Sequence, residues 1–310
     1  MLLSVVFSFK NEEAVITELI KRLKNIIAPL NIEYELIFVN DASTDKSLEL
    51  LMEQRKQNKN IKIINMSRTF GVAPCTIAGL RHAKGDAVIY MDADLQDPPE
   101  LIPELLEKWK AGFDVVHTTR TKRIGESPIK LWLTKQAYKM INAVSDIDIL
   151  KDSGDFKLLS RRALNEIIRL NEYDPFMRGL SRWVGFKQIQ VFYERQPRFA
   201  GKTHFSLFKS INPIKEFIRG IVSFSVLPLY FSLIAGFLTL AGVCIYLVWI
   251  FTAKLSGINL PGYPAIITTM LFLGSVILLS LGIMSMYISK IYQQTLNRPS
   301  YIIENKIGVD

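Results

Sequence analysis

The chain has 310 residues, 49% of them hydrophobic, and 38 Lys and Arg against 29 Asp and Glu give a formal net charge of +9. With a positive mean hydropathy it is too apolar for a purely soluble enzyme. The excess lies in the last third, where no charged residue occurs between Arg219 and Lys254 or between Lys254 and Lys290.

At the N-terminus, "MLLSVVFSFK" lacks a basic leader and its apolar run is strand-length, so it reads as a first strand and not as a signal peptide. Val15, Ile16, Leu19, Ile20, Leu23, Ile26 and Ile27 follow at helical spacing, then the strand "YELIFVN". The cycle repeats through "IKIINM", a helix near Val72–Lys84, the strand "DAVIYMD", a helix from Pro99 to Ala111 and the strand "DVVHTT". Strands alternating with amphipathic helices predict βαβ units and a mainly parallel sheet. Ligands bind such sheets at the carboxyl ends of the strands. The unusual residues gather there: "NEE" after the first strand, "NDASTD" after the second, "DADLQD" after the fourth and "TTRTKR" after the fifth.

Within these clusters, Asp45 suits either an N-cap or a ligand contact, whereas Asp41 precedes the cap at the strand end. Asp97, ahead of a proline pair, reads as the cap of the next helix. Asp92 and Asp94 are left over, like charges two residues apart at a sheet edge. Oxygen ligands of this kind suit Mg²⁺ or Mn²⁺, which binds one or two carboxylates and completes its shell with substrate phosphates and water. His82 and His117 read as structural, and Cys75 and Cys244 suggest neither a disulfide nor a metal site.

Residues 120–139 carry Arg120, Lys122, Arg123, Lys130, Lys135 and Lys139 against Glu126 alone. Residues 194–219 carry six basic side chains against Glu194 and Glu216, and "FSLFKSINPIKEFIRG" sets Phe205, Phe208, Ile211, Ile214, Phe217 and Ile218 near one face. This pattern predicts interfacial amphipathic helices over 205–222, broken near Pro213. Both charge-free intervals exceed the ~20 residues needed to cross a bilayer, which predicts transmembrane helices at about Leu227–Phe251 and Ile266–Ile288. Lys209, Lys215 and Arg219 before the hairpin and Lys290, Arg298 and Lys306 after it place both ends in the cytoplasm. The expected organisation is a cytoplasmic domain over 1–204, the interfacial segment, two spans within 223–290 and a cytoplasmic tail over 291–310.

"F-x-K-N-E-E", "FVNDASTD", "SRTFG", "AGLRHAKGDAVIYMDADLQDPPELIP", "SGDFKLLSRRAL" and "LNRPSYII", in order along nearly the whole chain, resemble the family 2 glycosyltransferases that act on polyisoprenyl phosphates. The nearest resemblance is to the bactoprenol (undecaprenyl phosphate) glucosyltransferases, relatives of dolichyl-phosphate mannose synthase. It implies a GT-A type α/β nucleotide-sugar domain, a two-helix membrane hairpin, inverting transfer from a nucleoside diphosphate sugar to a lipid phosphate, and Mg²⁺ or Mn²⁺ as cofactor. It assigns Glu12 and Asp41 to the nucleoside, Asp92, Asp94 and Gln96 to metal and diphosphate, and Asp155 to the region of the donor sugar. Arg120 faces phosphates, with Arg123 and Lys135 beside it as candidates for the lipid phosphate, and Arg198 opens the phosphate-closing pattern "RFAGKTHF". Ser8 replaces the family's usual proline, Lys10 an aromatic or aliphatic residue, and His204 a lysine. The implied partners are a nucleotide sugar, a polyisoprenyl phosphate and the inner membrane, with no nucleic acid, and a homo-oligomer, tetrameric as among close relatives. A processive polysaccharide synthase or a non-catalytic scaffold of the same fold are the other function classes open to the residues.

Overall fold

A computed structural model describes residues 1–122, 153–196, 222–256 and 262–309, with Gln136, Leu150 and Phe199. The apolar, β-branched runs form strands β1 (Leu2–Phe9), β2 (Glu33–Asn40), β3 (Ile61–Met66) and β4 (Ala87–Asp92). These pair in parallel with β1 between β2 and β4. The helices between them are α1 (Ile16–Ile27), α2 (Ser47–Gln57) and α3 (Val72–His82). In α1 the predicted apolar stripe holds: Ile16, Leu19, Ile20, Leu23 and Ile27 are buried. Each such side chain contributes roughly 1.5–3 kcal/mol of burial. A short 3₁₀ turn at Pro99–Leu101 leads into α4 (Ile102–Lys110), where one continuous helix from Pro99 was expected.

The sheet continues through β5 (Val115–Lys122), β6 (Ser153–Ser160) and β7 (Gln188–Glu194), with α5 (Arg161–Arg169) and α6 (Met177–Trp183) between the last two strands. After α7 (Leu227–Leu255) and α8 (Tyr263–Thr295) the chain returns as β8 (Ile303–Ile307). The strand order is β7-β5-β6-β4-β1-β2-β3-β8, and only β6 and β8 run against the others. Period-2 alternation loads both faces. Leu3, Val5, Phe7, Ile89, Phe156 and Val191 pack against α1, α2 and α4. Val6, Val39, Tyr90, Val115 and Leu159 pack against α3, α5 and α6. The result is a three-layer α/β/α domain with a mainly parallel sheet.

Two sequence expectations change. "TTRTKR" was placed after the fifth strand, but Thr118 to Lys122 lie within β5, because pairing with β7 extends to Lys122↔Glu194. Residues expected as tail include β8, which pairs with β3 and completes the sheet.

Helices α7 and α8 contain apolar windows at Leu227–Ala253 and Thr269–Thr295 with no buried share, each long enough to cross a membrane. Both helices outrun the expected spans. At ~1.5 Å per residue α8 is longer than a ~30 Å hydrocarbon core is thick. Its last turns engage the domain. Gln294 accepts from Tyr173 N and donates to Asn171 O, both at 2.9 Å. Tyr287 donates to Ser225 O at 2.7 Å and Lys290 to Ser223 Oγ at 2.6 Å.

Candidate active site

Parallel pairing aligns the strand ends, since Ser8 is opposite Asp92, Phe9 opposite Asn40 and Asn40 opposite Asn65. The loops leaving those ends are stitched together by side chains. Asn11 accepts from Thr44 N at 2.8 Å, Glu13 accepts from Lys46 N at 3.0 Å, and Ser47 accepts from Glu12 N at 2.9 Å. Asp45 accepts from Ser47 N at 3.0 Å and from Glu13 N at 3.1 Å. The N-cap of the following helix is Lys46 and no side chain caps it, so Asp45 braces the turn ahead of the helix and is not its cap. Asp41 accepts from Phe70 N at 2.6 Å and from Gly71 N at 3.1 Å, holding the "SRTFG" loop against the second strand end. Lys10, one of the departures, donates to Thr69 Oγ1 in the same loop at 2.8 Å. Glu12 is buried at this edge, so Glu12 and Asp41, the predicted nucleoside contacts, share one corner. Asn11, Ala42 and Leu95 adopt positive φ without being glycine. At Ala42 and Leu95, which lack asparagine's tolerance of this region, the cost is on the order of 1–2 kcal/mol each, while Asn31, Phe186 and Asn297 adopt positive φ away from this edge.

Asp92 ends β4 and Asp94 follows in a tight turn in which its Oδ1 accepts from Gln96 N at 3.1 Å. Gln96 O in turn accepts from Gln196 N at 3.1 Å, tying the acidic turn to the chain leaving β7. Burial, then the carboxylates of Asp155, Asp94 and Asp97, push Asp92 up to about 8. Among the described residues no three or more His, Cys, Asp or Glu gather tightly enough to cage a metal by themselves. The donor set fits a hard divalent cation that takes one or two carboxylates, because such a cation relieves the repulsion weighing on Asp92.

Asp97 corrects the capping expectation. The N-cap of the turn is Pro98 and no side chain caps it. Asp97 is 1% exposed and accepts from Tyr193 Oη, with Arg120 Nη2 at 3.4 Å from both its oxygens and Arg195 Nε at 3.6 Å. Arg120 also donates through Nε to Tyr193 Oη at 3.0 Å. The carboxylate is thus a buried anchor for two arginines, a role that the local sequence cannot distinguish from a cap.

Asp155 sits in β6 with its side chain toward α6, and Arg178 clamps it through Nη2 to Oδ2 at 2.6 Å and Nε to Oδ1 at 3.1 Å. Burial works to raise the Asp155 carboxyl, but Arg178, Lys157 and Arg120 outweigh it and hold it at about 2. Its neighbour Gly154 faces the other way, where a Cβ would stand 2.8 Å from Arg120 Nη2. The two arginines therefore approach the acidic edge from opposite faces of β6. Arg178, Arg195 and Tyr193 are site residues that the sequence did not single out. Arg123, Lys135, Arg198, His204 and the amphipathic segment 205–222, except for its last residue, lie outside the described residues. His82 and His117 behave as read: His82 Nδ1 lies 2.8 Å from Ala78 O, and His117 Nε2 lies 2.9 Å from Gln188 Oε1 in the core.

A doubly covered, mainly parallel sheet with an acidic strand-end turn opposed by arginines is an α/β domain whose candidate site lies at the carboxyl ends of its strands. Residues 4–168 match the Glycosyl transferase family 2 domain, and the chain belongs to that family. It is similar to an uncharacterized glycosyltransferase of Synechocystis, 41% identical over 99% of this chain and 96% of that one. A bactoprenol glucosyl transferase of Shigella phage SfV is 36% identical over 99% of each chain. Among solved structures, mannosyl-3-phosphoglycerate synthase from Rubrobacter xylanophilus shares the fold, with a TM-score of 0.50 at 15% identity over 72% of this chain and 73% of that one. The fold is GT-A-like.

Proposed function

We propose that this glycosyltransferase moves a sugar, with inversion, from a nucleoside diphosphate sugar to a polyisoprenyl phosphate such as undecaprenyl phosphate at the cytoplasmic face of the inner membrane. UDP-glucose or a UDP-N-acetylhexosamine is the donor. The observation that carries the reading is the set of Asp92, Asp94 and Asp155 opposed by Arg120 and Arg178. It lies on a domain bonded to the end of the membrane-length helix α8, which in turn bonds the segment leading into α7. Full-length similarity to a bactoprenol glucosyl transferase supports the acceptor.

Asp92 and Asp94 would hold Mg²⁺ or Mn²⁺, which when bound neutralises the donor diphosphate and acts as a Lewis acid on the leaving group. Glu12 and Asp41 take the nucleoside, and Gln96 the diphosphate. An oxygen of the lipid phosphate attacks the anomeric carbon from the face opposite the diphosphate. The new C–O bond forms as the old one breaks, and the electron pair leaves with the nucleoside diphosphate. A phosphomonoester has its second pKa near ~6 and is already anionic at neutral pH, so no strong base is needed. Asp155 suits this chemistry: held ionised at about 2, it is a poor base but a good counter-charge for an oxocarbenium-like centre. Arg120 supplies a planar donor fork for phosphate oxygens, Arg123, Lys135, Arg198 and His204 complete the cationic clamp, and the assembly is a homo-oligomer.

The test is incubation of membranes containing the protein with labelled nucleotide sugars and undecaprenyl phosphate. A chloroform-soluble labelled product is expected. An aqueous polymer would instead identify a processive synthase, and no product with any donor would leave a non-catalytic scaffold.

A further inference from the structure

Behind the Asp155–Arg178 pair lies a buried cation that the mechanism above does not use. Lys157 is 0% exposed, two residues along β6 from Asp155 and therefore on the same face of the strand. Its Nζ donates to Ser181 Oγ at 2.8 Å, and the Ser181 hydroxyl, also fully buried, donates to Arg178 O at 3.2 Å. Two positions on a strand span ~6.6 Å and three on a helix rise ~4.5 Å, so the β6 pair Asp155 and Lys157 can meet the α6 pair Arg178 and Ser181 step for step. Around the ammonium stand Tyr90 of β4 and His117 of β5, its cross-strand neighbours, and Arg178 of α6, while Arg182 of α6 acts on His117.

An ammonium removed from water costs several kcal/mol unless an opposite charge compensates it. Ser181 is neutral. Burial holds His117 at about 3 and Tyr90 above its ordinary range, so both are uncharged at neutral pH. The compensating charge is Asp155. The attraction is reciprocal, because Lys157 is among the groups that hold the Asp155 carboxyl down. Burial lowers Lys157 itself to about 7, against the pull of Asp155.

We propose that Lys157 is the positioning residue of the sugar-transfer centre: through Ser181 it fixes the turn of α6 that carries Arg178, and its buried ammonium, on the same face of β6 as Asp155, holds that carboxylate's aim. The inference deepens the transferase reading and rests on it. The full-length protein in nanodiscs is assayed as wild type, Lys157→Met, Lys157→Arg and Ser181→Ala. Lys157→Met should lower kcat at least tenfold while donor KM stays within about twofold, and Lys157→Arg should restore most of kcat. Ser181→Ala, which keeps the charge and cuts the tether, should lose about threefold. Wild-type kcat should fall as pH rises through about 7, where Lys157 loses its proton, and this limb should vanish in Lys157→Arg. An identical alkaline limb in both proteins would overturn the proposal. So would wild-type kcat in Lys157→Met, or loss in Lys157→Met without rescue by arginine. Donor hydrolysis without lipid acceptor is measured in parallel. If wild type never forms lipid product but its hydrolysis shows the same Lys157 dependence, the acceptor reading fails and the positioning role stands.

Discussion

Replacing Gly154 by alanine tests whether the fixed place of Arg120 matters to transfer. Gly154 does not occupy the left-handed region, so alanine adopts its backbone and the perturbation is steric. The added Cβ would stand 2.8 Å from Arg120 Nη2, 3.3 Å from Cζ and 3.4 Å from Nε. Ordinary contact begins near ~3.5 Å, so the guanidinium has to move by roughly half an ångström or more. Leaving Asp97 altogether would strand a buried carboxylate at about 3–5 kcal/mol, whereas local overpacking costs about 1–3 kcal/mol. The smaller cost wins: Arg120 keeps its partners and shifts. Stability should fall by about 1–3 kcal/mol. A misplacement of this size at a phosphate clamp should lower kcat/KM by roughly 10- to 100-fold. Initial rates of lipid-linked product and thermal unfolding measure the two effects. In an Arg120→Ala background Gly154→Ala should cost less than about 0.5 kcal/mol, since the obstructed side chain is gone. Full activity in Gly154→Ala, or an undiminished further loss in the double variant, would refute the reasoning.

Asp94→Asn removes a carboxylate from a half-exposed turn and not from the core, so transfer should be lost with expression intact, and EDTA should abolish wild-type activity. Asp97→Ala leaves Arg120, Arg195 and Tyr193 without their buried anchor and should destabilise the protein by about 3–5 kcal/mol, read as a lowered unfolding midpoint. Asp155 is held at about 2, below its unfolded value of 3.8, so its contribution is present above pH ~4 and lost as pH falls through about 2. Arg178→Met should therefore be less stable than wild type by on the order of 1–2 kcal/mol at pH 7, and the difference should shrink below pH ~4 and vanish as pH falls through about 2.

The alternation of strands and helices was legible because local periodicity carries it, and the strand-end acids Asp92 and Asp94 stood out because no local structure needed them. Asp97 was misread because a carboxylate before two prolines looks like a cap in sequence. Its partners Arg120 of β5, Tyr193 of β7 and Arg195 just after β7 arrive from 23 to 98 positions away. Arg178 and Lys157 were missed for the same reason, since their meeting depends on packing α6 over β6. β8 was hidden by its place beyond two membrane-length helices, where a short polar stretch resembles a tail.

That position sets an order of assembly. Ile303–Ile307 leaves the ribosome after both apolar helices, so the edge of β3 has no covering strand of its own chain while α7 and α8 are being made. An open strand edge invites wrong pairing, and here it stays open while both apolar helices are made. When β8 docks, Asn305 accepts from Asn65 at 2.7 Å and Asn65 accepts from Asn40 at 3.0 Å, a row of amides running to the base of the Asp41 loop. The corner that holds Glu12 and Asp41 is thus finished by the last-made segment of the sheet. A chain halted before its two apolar helices would lack a strand of its α/β domain as well as those helices.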